Sequence, residues 1–240
     1  MAGNNTHTVI VQARDRHIFD TLRTARFATT SQLQTLCGFH SRSRASARLS
    51  LLVTAGYLRR EHVGTIAGGR LAVFRLATRK IKSKRGPAGR EASIAHQLAI
   101  NDVRISFQHS GAGPWQQVEP VAQGRLVPDG ALTIPSRPER FFLEVDLDTE
   151  GMSVWKRKVS HYLAVAQGAA ADGESQARFG VLVVVAGEAR LRRLSLATAE
   201  QTTKLFWFAT LQSITQEGAL GSIWRRPGGE EALSLSKGIE

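Results

Sequence analysis

Apolar positions in the first part of the chain recur at helical spacing and then alternate. Within 14–23, Ile18, Phe19 and Leu22 share one helical face, which predicts a first helix. Thr29-Thr30-Ser31 offers N-cap residues for a short second helix carrying Leu33, Leu36 and Cys37, with Gly38 at its C-terminal cap. Ser41 can cap a third helix, in which Ala45, Leu49 and Leu52 fall at i, i+4 and i+7 before Gly56 stops it. The stretch YLRREHVGTIAGGRLAVFRLA then reads as two β-like runs about Gly68-Gly69, as in a hairpin. Three helices followed by a hairpin predict a winged helix-turn-helix domain over 1–78.

RKIKSKRGPAGR, residues 79–90, has little apolar content and reads as a basic linker. A second pattern starts at 91. EASIAHQLAINDVRISFQ is helical, and WQQVEPVAQGRLVPDGALTIP reads as strands broken by Gly124 and Pro128. Pro135-Ser136-Arg137-Pro138 is a turn leading to the strand FFLEVDLD. A helix from Ser153 to about Gly168 has Trp155, Val159, Tyr162 and Ala166 at helical spacing. RFGVLVVVA is a continuous apolar run, typical of a strand covered on both faces. A helix over 188–201 and a strand KLFWFATL complete an α/β (α+β) mixed-sheet domain over 91–225. The tail, 226–240, shows little periodicity and is expected to be loose.

Composition sharpens this division. Of 240 residues, 42% are hydrophobic and 22% charged, enough to build a core. The one cysteine, Cys37, lies on a predicted core face and excludes both an internal disulfide and a zinc finger. No apolar run is long enough to cross a bilayer and no signal peptide opens the chain, so a cytoplasmic protein without membrane contact is expected. The formal charge is +12, and residues 1–90 hold 17 Lys+Arg against 3 Asp+Glu, a net of +14. The excess therefore lies wholly in the first 90 residues, the first domain with its basic linker, which points to double-stranded DNA as the partner. Candidate DNA-binding residues are Arg42, Arg44 and Arg48 on the third helix, with Arg59, Arg60 and Arg70 on the hairpin. The helix arginines can read guanine edges or grip phosphates, and an inert basic surface or a winged helix used for protein contacts stays open.

In FFLEVDLDTE, residues 141–150, a strand places Phe142, Glu144, Asp146 and Asp148 on one face. A turn centred between Arg137 and Pro138 sets Asp129 opposite Asp146, with Glu144 a diagonal step away. Like charges opposed on a hairpin repel, and a cation relieves them. Mg²⁺ (or Mn²⁺) takes carboxylate oxygens together with substrate phosphate oxygens, so Asp129, Glu144 and Asp146 are candidate metal ligands. The alternative is a solvated acidic face with Arg125 or Arg140 as partners.

Pro128-Asp129-Gly130 followed by Glu144-Val145-Asp146 resembles the PD-(D/E)XK core of restriction-endonuclease-like domains. With the N-terminal helices, HQLAIND at 96–102 and EVDLDTE leading to KVSHY at 158–162, the chain resembles the replication-relaxation family of plasmid and mobile-element proteins. That resemblance implies a winged helix joined to a nuclease-like domain, with Asp129, Glu144 and Asp146 on Mg²⁺ and a lysine completing a catalytic site. Asp146 stands where such cores usually carry that lysine. Lys158, four residues before Tyr162, is the first replacement and Lys156 the second. Glu91 and His96, with Gln97, Asn101 and Asp102, are further candidates to border the site.

Two functions follow from these residues: a Mg²⁺-dependent DNA endonuclease or nickase, or a non-catalytic DNA-binding regulator with a degenerate nuclease-like domain. A third reading makes the second domain a dimerisation platform, because paired winged helices commonly read two half-sites.

Overall fold

The computed structural model describes residues 9–64, 69–77, 86–116, 118, 121, 126–171 and 179–236. The expected hairpin residue Gly68, the linker residues 79–85, Gly124, Arg125 and the last four residues lie outside them. The fold is mixed α/β and divides into two compact units, Met1–Ile105 and Ser106–Glu240.

The first unit runs α1 (Ala13–Ala25), β1 (Ala28–Thr29), α2 (Thr30–Leu36), α3 (Arg42–Thr54), β2 (Leu58–Gly64) and β3 (Arg70–Leu76), and includes most of α4 (Gly86–His109). Thr29 caps α2 by accepting from the Gln32 N–H, and Ser41 caps α3 by accepting from the Arg44 N–H. The β2–β3 hairpin is antiparallel and β1 pairs with the other edge of β3. Ile18, Leu22, Leu33, Ala45, Leu49, Leu52, Leu58 and Phe74 form one buried cluster with Cys37. The linker expected over 79–90 gives way at its end, because Gly86–Arg90 already form the start of α4.

The second unit is built on a four-stranded sheet, in the order β4 (Gly130–Thr133), β5 (Arg140–Asp146), β6 (Phe179–Val185), β7 (Phe206–Thr210). The β4–β5 pair is antiparallel, and β5–β6 and β6–β7 are parallel. Parallel neighbours need crossovers, which α5 (Met152–Ala171) and α6 (Glu188–Ala199) supply. Both helices cover one sheet face, where Trp155, Val159 and Tyr162 of α5 and Leu191 and Leu194 of α6 meet Phe142, Val181, Val183, Val185, Phe206 and Phe208. Phe141, Leu143, Leu182 and Val184 on the opposite face are also buried. The continuous apolar run of β6 thus has the cause expected of it, burial on both sides.

After β7 come α7 (Leu211–Glu217), β8 (Ser222–Trp224) and β9 (Leu233–Ser234), which extend the unit beyond the last expected strand. The tail is therefore not loose up to Ser236. Arg137 donates to the Leu235 carbonyl at 3.0 Å, and its guanidinium lies 4.9 Å from the Trp207 ring centroid.

Arg137 also closes the β4–β5 hairpin through its backbone. The turn closes with the Arg137 N–H donating to the Ile134 carbonyl at 2.9 Å, which centres it one residue earlier than expected. The register is Gly130↔Leu143 and Thr133↔Arg140. Continued by one residue, it sets Asp129 opposite Glu144, so the expected pairing of Asp129 with Asp146 is corrected by two positions. Gly130 is required here, because an added Cβ would lie 2.2 Å from the Trp115 ring.

Trp155 is buried against Phe206 and Phe208 and donates its indole N–H to Thr198. Trp155→Ala is expected to cost about 3–5 kcal/mol of stability, measured by denaturant unfolding followed by circular dichroism.

Candidate active site

Alternation along β5 puts Phe142, Glu144 and Asp146 on the face that α5 and α6 cover, so these acids are buried among side chains and not stacked toward solvent. A buried carboxylate must find a positive or hydrogen-bonding partner. Each finds its own. Glu144, 2% exposed, accepts from the Tyr162 hydroxyl at 2.7 Å through Oε1 and from Lys158 Nζ at 2.9 Å through Oε2. The four-residue spacing of Lys158 and Tyr162 puts both on one face of α5. Asp146 takes a bidentate bond from Arg190 of α6, Nε at 3.1 Å and Nη2 at 2.7 Å.

Asp129 stands beside Glu144 at the start of β4. Its N–H donates to the Leu143 carbonyl at 2.9 Å, and its Oδ2 accepts the Val145 N–H at 2.8 Å. Lys158 Nζ also reaches Glu150 Oε2 at 3.0 Å. The described geometry thus brings together Asp129, Glu144 and Lys158, adds Tyr162 and Glu150, and leaves Asp146 on Arg190. Lys156, the second choice, pairs instead with Glu200 at 2.6 Å. Asp148 lies past the end of β5 at φ 61 and bonds Arg190 at 3.0 Å.

The electrostatics follow from burial. Loss of water raises the Glu144 carboxyl to about 7, with the Asp129 charge pushing the same way and the Lys158 ammonium and Tyr162 hydroxyl pulling against it. Burial disfavours the Lys158 ammonium, but Glu144 and Glu150 outweigh it and raise its pKa above the ordinary lysine value. Burial and the Glu144 charge raise the Tyr162 phenol, so it stays protonated and donates. Among the described residues no group of three or more His, Cys, Asp or Glu is arranged to hold a metal. The expected trio with Asp146 is therefore absent. Asp129 and Glu144 are the carboxylates that adjoin here, and both Glu144 oxygens already accept from protein donors.

The DNA-binding candidates divide in the same way. Arg42, Arg44, Arg59 and Arg70 are exposed. Arg48 is not available as expected: it pairs with fully buried Asp15 and donates to the Ile10 carbonyl at 2.9 Å. Burial opposes the Asp15 carboxylate, yet the Arg48 guanidinium and the Gln12 N–H hold its pKa below the ordinary range. Arg60 is exposed but tethered, donating to Ser50 at 2.6 Å and lying 5.5 Å from the Phe74 ring centroid. Asn101 and Asp102 are spent inside the first unit, on the Phe27 carbonyl at 2.7 Å and on Gln32 at 2.7 Å. Glu91, His96 and Gln97 belong to that unit too.

Arg190 had no sequence signal, since 44 residues separate it from Asp146 and nothing local links them. Glu150 was within the quoted acidic run but carried no periodic relation to Lys158.

The replication-relaxation family model matches residues 19–182. The chain belongs to the replication-relaxation family. Membership points to a part in plasmid or mobile-element replication or transfer. The matched stretch takes in Asp129, Glu144, Lys158 and Tyr162 and ends before Arg190. No curated protein and no solved structure matches the chain. No helix among the described residues is long and apolar enough to cross a membrane.

Because the folded-state pKa of Glu144 lies above its ordinary 4.5, protonation favours the native state. Its contribution is fully present below about 4.5 and is lost as pH rises through about 7. Glu144→Gln is expected to remove this component, so the difference in thermal midpoint between variant and wild type should change across that window and flatten outside it.

Proposed function

We propose that this protein binds double-stranded DNA in plasmid or mobile-element replication or transfer, and that its second unit is a Mg²⁺-dependent nickase or endonuclease. The first unit is read as a winged helix. Its order of three helices and a hairpin and its excess of basic residues support this, with exposed Arg42 and Arg44 at the start of α3 and Arg59 and Arg70 on the hairpin.

The observation that carries the cleavage reading is the 2.9 Å contact of Lys158 with Glu144, beside Asp129. It returns a positive group to a site whose strand has aspartate at position 146. Asp129 and Glu144 would hold Mg²⁺, which when bound polarises the phosphodiester and makes its water more acidic. Tyr162 fixes the rotamer of Glu144 through its hydroxyl. Lys158, part-exposed, can turn its ammonium toward a phosphate oxygen or an attacking water as the DNA arrives. Supercoiled plasmid incubated with protein and Mg²⁺ should become nicked, and Asp129→Ala and Lys158→Met should each abolish the product. Equal nicking by wild type and Asp129→Ala would falsify this site.

A second reading, a non-catalytic DNA-binding regulator, is favoured by one observation: both oxygens of Glu144 are already bonded to protein donors. It predicts DNA binding that survives the acid substitutions together with no Mg²⁺-dependent nicking. Under either reading, Arg44→Ala should weaken binding and lower the slope of log K against log salt by about one if Arg44 grips a phosphate. Arg48→Ala should chiefly reduce stability, because it leaves Asp15 buried and unpaired.

A further inference from the structure

Asp146 and Arg190 take no part in the chemistry proposed above, yet both are buried, at 5% and 3% exposed. Taking two charges out of water costs several kcal/mol per ion before their attraction offsets it. The partners of Arg190 indicate what the pair does. Besides Asp146, its Nη2 donates to the Glu150 carbonyl at 2.7 Å, its Nη1 meets Asp148 Oδ1 at 3.0 Å, and Nη1 lies 3.9 Å from Met152 Sδ. All four partners fall between residues 146 and 152, the connection from β5 to α5.

That connection is unusually constrained. Asp148 sits in the left-handed region at φ 61, uncommon for a residue with a side chain, and its N–H donates to Asp146 Oδ1 at 2.6 Å. The same segment carries Glu150, whose Oε2 lies 3.0 Å from Lys158 Nζ, and it ends at Met152, the first residue of α5. Lys158 follows less than two turns later. Lys156, two residues earlier and so on another face of the helix, pairs with Glu200 and is half exposed, which makes it an internal reference for the reactivity of Lys158.

We propose that Arg190 is a positioning residue for Lys158: by latching residues 146–152 it sets where α5 begins and brings Glu150 against the ammonium, holding Lys158 over Glu144. The significance of the latch rests on the cleavage reading, whereas its geometry does not. Arginine is needed because its planar fork reaches a carboxylate, a carbonyl and a second carboxylate together, which a single ammonium cannot do.

The test uses the full-length protein. Asp146→Leu combined with Arg190→Leu removes both charges, so neither is left buried and unpaired, a kind of replacement that is often neutral or stabilising. Acylation of Lys158 and Lys156 by an N-hydroxysuccinimide ester is followed by peptide mass spectrometry. In wild type, Lys158 should react several-fold more slowly than Lys156. In the double variant the ratio should fall toward one while the thermal midpoint is kept, and any nicking should lose kcat with the KM for plasmid unchanged. A folded double variant that keeps the wild-type ratio overturns the latch, whether or not the protein cuts DNA. Should the double variant not fold, Arg190→Lys serves instead: it keeps the charge without the fork, and an unchanged ratio again overturns the proposal. Loss of nicking in Asp129→Ala bears on the cleavage reading, and the reactivity ratio on the latch alone.

Discussion

Two carboxylates on a covered sheet face set the terms for the second unit. Glu144 and Asp146 project from β5 into the layer occupied by α5 and α6, where an unpaired charge would cost more than a small domain can spare. Each is therefore met by a cation from a different helix, Lys158 from α5 and Arg190 from α6. Those pairings fix both crossover helices against the strand and leave Asp129 beside Glu144. Each acid on the strand thus has a separate cationic partner.

The first unit uses the same device. Asp15 on α1 is fully buried and Arg48 on α3 answers it, tying the two helices together through a charge that sequence alone assigns to DNA. The unit consequently divides its arginines between internal work and the surface. Arg48 is spent and Arg60 tethered, while Arg42, Arg44, Arg59 and Arg70 stay exposed. Positive charge counted along a chain therefore overstates what can reach a phosphate, because some of it neutralises the protein's own buried acids.

Much of the fold was legible because periodicity reports burial directly. The spacing of Ala45, Leu49 and Leu52 and the apolar run of β6 led to elements close to those observed. Lys158 and Tyr162 were legible as a pair through the family resemblance together with their four-residue spacing, which puts them on one helix face. The hairpin register was not: the turn closes on the Arg137 N–H and the Ile134 carbonyl, and the Arg137 side chain meets Leu235 and Trp207, partners distant in sequence. One residue of displacement at the turn moved the partner of Asp129 by two, from Asp146 to Glu144. The tail was misjudged for a related reason: Leu235 is buried by contacts distant in sequence, which no local pattern records.

By itself the sequence determined the mixed α/β class, the basic first ninety residues, and the presence of Asp129, Glu144 and a helical lysine in one order. These depend on side-chain period and composition, which are local. Only the tertiary structure decided which acid faces which, that Arg190 takes Asp146, and that Glu150 shares Lys158 with Glu144. Those choices follow from the low polarity of the covered sheet face, where each charge must be matched within about 3 Å by whichever group the packing brings near.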